Sequence, residues 1–166
     1  MSAAYSAAEW SDLFVASAGA AAALGGLLFV AISINVERIL ALPGVPARAA
    51  EAIVVLLGVL IVSVLCLAPG TGRETLGWLL LVESVALLLV VAALAVRSAR
   101  PGEGRPPSRV AGSLVFSAAG TLPFLVGAIS LVAGSGGGLY LTLGGVIGAF
   151  VGAVLNAWVF LIEILR

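Results

Sequence analysis

Apolar residues run through this chain in long uninterrupted stretches. The stretches cover 12–35, 50–68, 75–96, 110–133 and 139–165. A helix needs about 20 mainly apolar residues to cross the hydrocarbon core of a bilayer, and each stretch approaches or exceeds that length. The pattern predicts an all-α fold, a polytopic helical bundle with five transmembrane helices. The alternative is four spans, with 50–68, the shortest stretch, buried or re-entrant.

The connections between these stretches are short. "ERILALPGVPAR" carries two prolines and a glycine, and "GSGGG" is typical of a flexible hinge. "RSARPGEGRPPSR" is the only loop of any size. Residues 1–166 are therefore predicted to form a single transmembrane domain, embedded in the lipid bilayer.

Composition supports an integral membrane protein. The 166 residues are 62% hydrophobic and 10% charged, whereas a soluble domain is about 25% charged. The bias toward Arg, Ala, Gly and Val indicates a GC-rich bacterial genome, and so a multi-pass protein of the bacterial plasma (inner) membrane.

Arginine placement predicts the orientation. With the N-terminus outside, the outer segments hold only Arg73, and the cytoplasmic segments hold Arg38, Arg48, Arg97, Arg100, Arg105, Arg109 and Arg166. Cytoplasmic loops of membrane proteins carry an excess of basic residues. An N-terminus outside and a C-terminus in the cytoplasm are therefore expected.

Two spans carry small residues at four-residue spacing. Gly144, Gly148 and Gly152 form a glycine-zipper face on the last span, and Ala18, Ala22 and Gly26 repeat the layout on the first. Helices in lipid associate largely through small residues that let backbones approach closely. Both faces are predicted to pack against another helix, of this chain or of a second subunit.

Glu83 is the most informative polar residue. Its neighbours on the same helix face are apolar, and a charged acid near the bilayer centre costs about 2.5–3.5 kcal/mol on insertion scales. Glu83 is expected to face the bundle, with Ser63 or Ser130 as possible partners. Two roles stay open, a neutral structural acid and a proton relay or ion site.

Other polar residues lie toward the inner ends of the first and last spans. Glu37 and Glu163 are placed where long side chains reach water, so a helix exit is favoured over a paired-carboxylate site. Asn35 lies on another face. Asn156 lies deeper, where a hydrogen bond between spans, worth about 0.6–2 kcal/mol, is favoured over solute binding. Pro123 cannot donate a backbone hydrogen bond, which predicts a kink in the fourth span.

Candidate catalytic chemistry is scarce in the sequence. The chain has no His and no Lys and only one cysteine, Cys66. It therefore lacks the commonest metal ligand and general base. Zero net charge gives no basic patch for nucleic acid. No catalytic residue, metal site or cofactor is predicted, and the chain is not expected to be an enzyme.

Four segments carry a resemblance to a known family: "WSDLFVASAGAAAALGGLLFVAISINVERIL", "VPARAAEAIVVLLGVL", "TLPFLVGAISLVAGSGGGLYL" and "LNAWVFLIEILR". The chain resembles a family of small multispan actinobacterial membrane proteins, mostly called hypothetical, some of which carry the label "modulator of FtsH protease". The better-known modulator of that protease resembles the Bax-inhibitor family, which has more spans and intramembrane aspartates. No functional residue is carried over.

Two functions are expected from these features. The first is a non-enzymatic protein that packs or self-associates through its small-residue faces and modulates a membrane partner, including, by the resemblance, a membrane protease. Its partner is a second copy or a larger membrane protein. The alternative is a small oligomeric ion channel or proton-coupled transporter that uses Glu83.

Overall fold

The computed structural model describes residues 3–42, 44–98 and 107–165, without the side chains of 98, 107–117, 119, 156–157 and 159–165. Regular structure in these ranges is helical throughout. Two short 3₁₀ helices precede six α-helices. The 3₁₀ helices are Ala3–Tyr5 and Ala7–Trp10, and the α-helices are α1 (Ser11–Ile34), α2 (Val36–Ala41), α3 (Val45–Leu67), α4 (Arg73–Ser98), α5 (Pro107–Ala133) and α6 (Leu139–Leu165).

The five long helices coincide with the five apolar stretches. The largest difference is at α3, which begins at Val45 and not at residue 50. Pro46 lies in its first turn, where the missing N–H would have no helical partner in any case. The short helix α2 was not predicted. It follows a break at Asn35, whose φ of −109° and ψ of 16° depart from helical values.

Within the described ranges, three helical segments are long and apolar enough to cross a membrane, namely Ala7–Ile34, Val45–Leu67 and Arg73–Arg97. The described parts of α5 and α6 add two shorter apolar helices, Gly120–Ala133 and Leu139–Leu155. The chain is therefore all-helical, with helices suited by length and composition to a membrane.

Helix α3 lies at the centre of the fold. It packs against α1, α4 and α6, and α5 completes a ring by packing against α4 and α6. Half of the most apolar stretch of α3 is buried inside the molecule, whereas only 22% of the most apolar stretch of α1 is buried. Thus α3, α4, α5 and α6 form a closed four-helix ring, and α1 lies on the outside of α3. The main apolar core joins Phe14 of α1 to ring residues that include Val59, Val62, Leu80, Phe124, Leu131 and Leu139.

Single glycines permit the closest helix contacts within the ring. A Cβ atom on Gly77 of α4 would lie 2.9 Å from the backbone nitrogen of Val132 on α5. A Cβ on Gly127 of α5 would lie 2.6 Å from the hydroxyl oxygen of Thr142 on α6. Since real Cβ atoms do not approach so closely, these helices could not keep their spacing with any larger residue.

Candidate functional site

Glu83 lies on the face of α4 that packs against α3. Its Oε1 atom lies 3.4 Å from the point where a Cβ on Gly58 would stand. Its Oε2 atom is buried and has no hydrogen-bond partner. The hydroxyl of the next residue, Ser84, is also buried without a partner. Glu83 therefore faces the bundle, as expected, and its carboxyl group lies beside the space left by Gly58, which Leu87 fills.

The two serines considered as partners of Glu83 make their hydrogen bonds elsewhere. The Ser63 hydroxyl donates to the carbonyl of Val59, one turn earlier on α3, at 2.7 Å. The Ser130 hydroxyl donates to the Ser135 carbonyl and accepts from the Gly138 N–H at 2.8 Å. Ser130 thus serves the loop after α5, and the structure does not bring it to Glu83.

The polar residues at the end of α1 bond their own helix. The Asn35 amide donates to the Ala31 carbonyl at 2.9 Å, and the Ser33 hydroxyl donates to the Phe29 carbonyl at 2.8 Å. Glu37 is exposed in α2. Local bonds of this kind compete with the helical ladder, which fits a helix exit at this point.

For three further predicted residues, Asn156, Glu163 and Pro123, the structure gives less detail. The side chains of Asn156 and Glu163 lie outside the described residues, so their hydrogen bonding and a carboxylate pair with Glu37 stay predictions. Pro123 lies inside α5, which continues as a helix on both sides of it. The kink that it predicts stays a prediction.

Three glycines of the predicted small-residue faces lie outside the contacts of a single chain. A Cβ atom on Gly26, Gly144 or Gly152 would meet nothing within 4 Å. Ala22 is exposed, and Ala18 and Gly148 are half-buried. At those three glycines no described part of the same chain lies within contact distance. Packing against a second subunit stays a prediction.

The buried face of α6 is shifted by one residue from the predicted face. Gly145 would place a Cβ 2.9 Å from the ring of Phe124 on α5, and Ala149 lies against Gly120 of α5. Ala153 packs with Leu28 and Leu56 in a separate apolar cluster. Gly145 and Ala149 thus close the α5–α6 contact.

Arg73 has a role that the sequence reasoning missed. Its guanidinium Nη1 donates to the carbonyl of Leu131 at 2.7 Å and lies 3.5 Å from that of Val132. The last carbonyls of a helix have no partner within the helix, so Arg73 caps α5 from the start of α4. A signal was present, because Arg73 was the single arginine that departed from the orientation rule.

Glu51 and Arg48 in the first turns of α3 were also missed. Glu51 is 5% exposed and Arg48 is half-buried, and each has an interaction partner within the chain. The two residues carry opposite charges three positions apart in "PARAAE", a spacing at which side chains on a helix interact. The opposite charges at this spacing could have pointed to a polar contact at this end of α3.

The glycine-rich loop between α5 and α6 is held by the N-terminal segment. The Gly137 N–H donates to the Tyr5 hydroxyl at 3.2 Å. Trp10 donates from its indole nitrogen to the Ala3 carbonyl at 2.8 Å, and its ring meets that of Tyr140 edge-on at 4.7 Å. The "GSGGG" segment is therefore bonded into the fold.

Two recesses lie outside the packed core. One is a cavity of about 350 Å³ at the same end as the glycine-rich loop, between the N-terminal segment and the α3–α4 turn. The other is a groove of about 400 Å³ between α1 and α6, lined by Leu24, Leu27, Leu28, Ala31, Leu56, Ala153, Val154 and Trp158. We call this second recess the α1–α6 groove. All eight residues that line it are apolar.

The arrangement of polar groups offers hydrogen bonding more than reaction chemistry. Among the described residues, no three His, Cys, Asp or Glu side chains gather as a metal ion would require. The candidate site thus consists of one buried carboxyl group against a glycine, two outward small-residue faces and an apolar groove. Comparison with protein-family models, curated proteins and solved structures gives no match.

Proposed function

We propose that this chain is a non-enzymatic protein of the bacterial plasma membrane that self-associates or binds a larger membrane protein through its small-residue faces. It would cross the bilayer five times, with its N-terminus outside and its C-terminus in the cytoplasm. By its resemblance to the multispan family, a membrane protease is one such partner, whose activity it would modulate.

The exposed glycines carry this proposal. Gly26, Gly144 and Gly152 leave open space where a side chain would stand, so another backbone could approach α1 and α6 there. Close approach of this kind is the main source of helix association in lipid, where apolar side chains gain little by leaving the hydrocarbon. A face built of glycine that the chain itself leaves uncovered is suited to a second molecule.

The Arg73 contact supports the proposed orientation. The guanidinium of Arg73 is bound to the end of α5, so this arginine has a structural reason to lie on the outer side. The other seven arginines fall in segments assigned to the cytoplasm. The seven arginines whose positions this contact does not explain therefore follow the positive-inside rule.

Oligomer size tests the proposal. Gly144→Leu and Gly26→Leu should reduce the size of the assembly in mild detergent or nanodiscs, because a large side chain holds the partner backbone away. Monomer stability should stay unchanged, since both sites are open within the chain. Ala92→Leu, at an exposed site on α4, is the matched control. Association unaffected by both glycine substitutions would exclude these faces as the interface.

Cysteine labelling in intact cells tests the orientation. On a Cys66→Ala background, an impermeant thiol reagent should label Ser135→Cys, which is exposed between α5 and α6. It should leave Ser108→Cys unlabelled, because the loop before α5 is placed in the cytoplasm. Labelling at Ser108→Cys without labelling at Ser135→Cys would reverse the orientation.

A small channel or proton-coupled transporter is the second candidate function. The buried and unpartnered Oε2 of Glu83 favours it, because intramembrane acids commonly mark ion or proton pathways. Purified protein in liposomes should then show proton or cation flux that Glu83→Gln abolishes. Flux equal to that of empty liposomes would exclude this candidate and leave the interaction protein.

A further inference from the structure

The α1–α6 groove exists because α1 and α6 both pack on α3 and make little contact with each other. Leu56 of α3 is 2% exposed and forms the floor, with Leu28 and Ala153 on the two sides. Leu27, Ala31, Val154 and Trp158 are exposed at the rim. The groove is therefore a lateral opening between two helices, walled by hydrocarbon side chains.

The size of the groove indicates a thin occupant. Its α1 wall runs from Leu24 to Ala31, about 10 Å along the helix axis. The volume of the groove is about 400 Å³. A single hydrocarbon chain is much narrower than a helix and fits such a space.

The surroundings of the groove supply that chain. In the orientation proposed above, on which this inference rests, the wall residues of α1 and α6 lie in the cytoplasmic half of their spans. The phase at that depth is lipid hydrocarbon, whose leaflet is about 15 Å thick. An empty groove would lose dispersion contacts along its whole lining, and a lipid chain restores them.

The residues around the inner end of the groove favour an acidic headgroup. Arg38 follows the α1 wall in α2, and Arg48 lies eight residues before the floor residue Leu56, about 12 Å along α3. An arginine has five N–H donors, so each can contact a phosphate besides its partner within the chain. Trp158 at the rim has an indole N–H, and Trp is enriched at membrane interfaces.

We propose that the α1–α6 groove binds an acidic phospholipid of the cytoplasmic leaflet. One acyl chain lies on Leu56 between α1 and α6, and the headgroup lies near Arg38 and Arg48. None of the six residues of the small-residue faces lines the groove. A bound lipid and a partner on those faces are therefore compatible.

Quenching of Trp158 by brominated lipid tests this proposal in the full-length protein. The protein is reconstituted in phosphatidylcholine vesicles that contain a fixed fraction of brominated lipid, either phosphatidylglycerol or phosphatidylcholine. The contribution of Trp158 is the difference in fluorescence between the protein and its Trp158→Phe variant. Brominated phosphatidylglycerol should quench that contribution more strongly than brominated phosphatidylcholine at the same fraction.

Two kinds of variant separate the groove from the arginines. Ala31→Phe fills the groove and should remove the preference for the acidic lipid, whereas Ala93→Phe, at an exposed site on α4, should not. Arg38→Gln or Arg48→Gln should weaken the preference about five-fold each, as expected for one basic residue near a lipid surface.

Equal quenching by the two lipids in the unaltered protein would overturn the proposal. Weaker quenching of Trp158 in the unaltered protein than in Ala31→Phe would show that the groove is covered in the oligomer. That result would assign the groove to a protein partner and would also overturn the lipid proposal. If Gly144→Leu loses its oligomers but keeps the preference for the acidic lipid, the lipid proposal still holds. Its failure is thus distinguishable from failure of the proposed association.

Discussion

Gly144 and Gly145 are neighbours on α6 and have opposite surroundings. A Cβ on Gly145 would lie 2.9 Å from the Phe124 ring, whereas one on Gly144 would meet nothing within 4 Å. The same contrast holds for the whole molecule. Helices α3 to α6 form a ring closed by Gly58, Gly77, Gly120, Gly127 and Gly145, while Gly26, Gly144 and Gly152 lie outside these contacts.

The comparison separates two uses of glycine in membrane helices. Inside the ring, glycines occur singly, each at a close contact with the facing helix, such as Leu87 opposite Gly58. On the outer face, Gly144 and Gly152 lie two four-residue steps apart, and a Cβ on either would meet nothing within 4 Å. Regular spacing suits a straight partner helix that lies along the face, whereas single glycines suit particular crossing points in a bundle.

Leucine at the two neighbouring glycines should break the comparison most clearly. Gly145→Leu should lower the free energy of unfolding by about 3 kcal/mol, the upper range for overpacking, because the Phe124 ring occupies the space. Gly144→Leu should change it by less than about 0.5 kcal/mol, as at an ordinary surface site. Denaturant unfolding of the monomer in detergent, followed by tryptophan fluorescence, measures both. Equal effects at the two positions would contradict the assignment of inner and outer faces.

Arg73→Gln tests whether the ring depends on the contact between the start of α4 and the end of α5. Arg73→Gln should cost about 1.5–3 kcal/mol, the range for hydrogen bonds to charged groups, because the Leu131 carbonyl loses its donor. Arg97→Gln, at an exposed site near the other end of α4, is the control and should be nearly neutral. Hydrogen exchange at the end of α5 should rise only in Arg73→Gln. Unchanged exchange there would show that this end is closed by other contacts.

Glu83 should give the smallest effect if it is the neutral acid that its apolar surroundings favour. Glu83→Gln keeps the shape and the hydrogen-bonding capacity, so stability should change by less than about 0.5 kcal/mol. Glu83→Ala should cost more, since it empties the space against Gly58. Thermal unfolding of the three proteins in one detergent gives the order. A large loss in Glu83→Gln would instead indicate a carboxylate with a bound cation.

Part of the candidate site could be predicted from the sequence. The inward position of Glu83 followed from the cost of an acid in hydrocarbon, and the structure places it on the α3 side of α4. Its partners could not be predicted, because depth along a helix does not specify which serine faces which helix. Ser63 and Ser130 lie at positions that made them candidates, but both bond within their own segments.

Helix positions and helix contacts depend on different information. The sequence by itself determined five long apolar helices, the turns between them and the scarcity of catalytic side chains, because transfer of a helix into lipid depends on its own composition. Which face of α6 lies inside was decided by the tertiary structure alone. In an apolar chain, contact with lipid favours neither face of a helix over the other. Only the shape of the neighbouring helix therefore distinguishes Gly145 from Gly144.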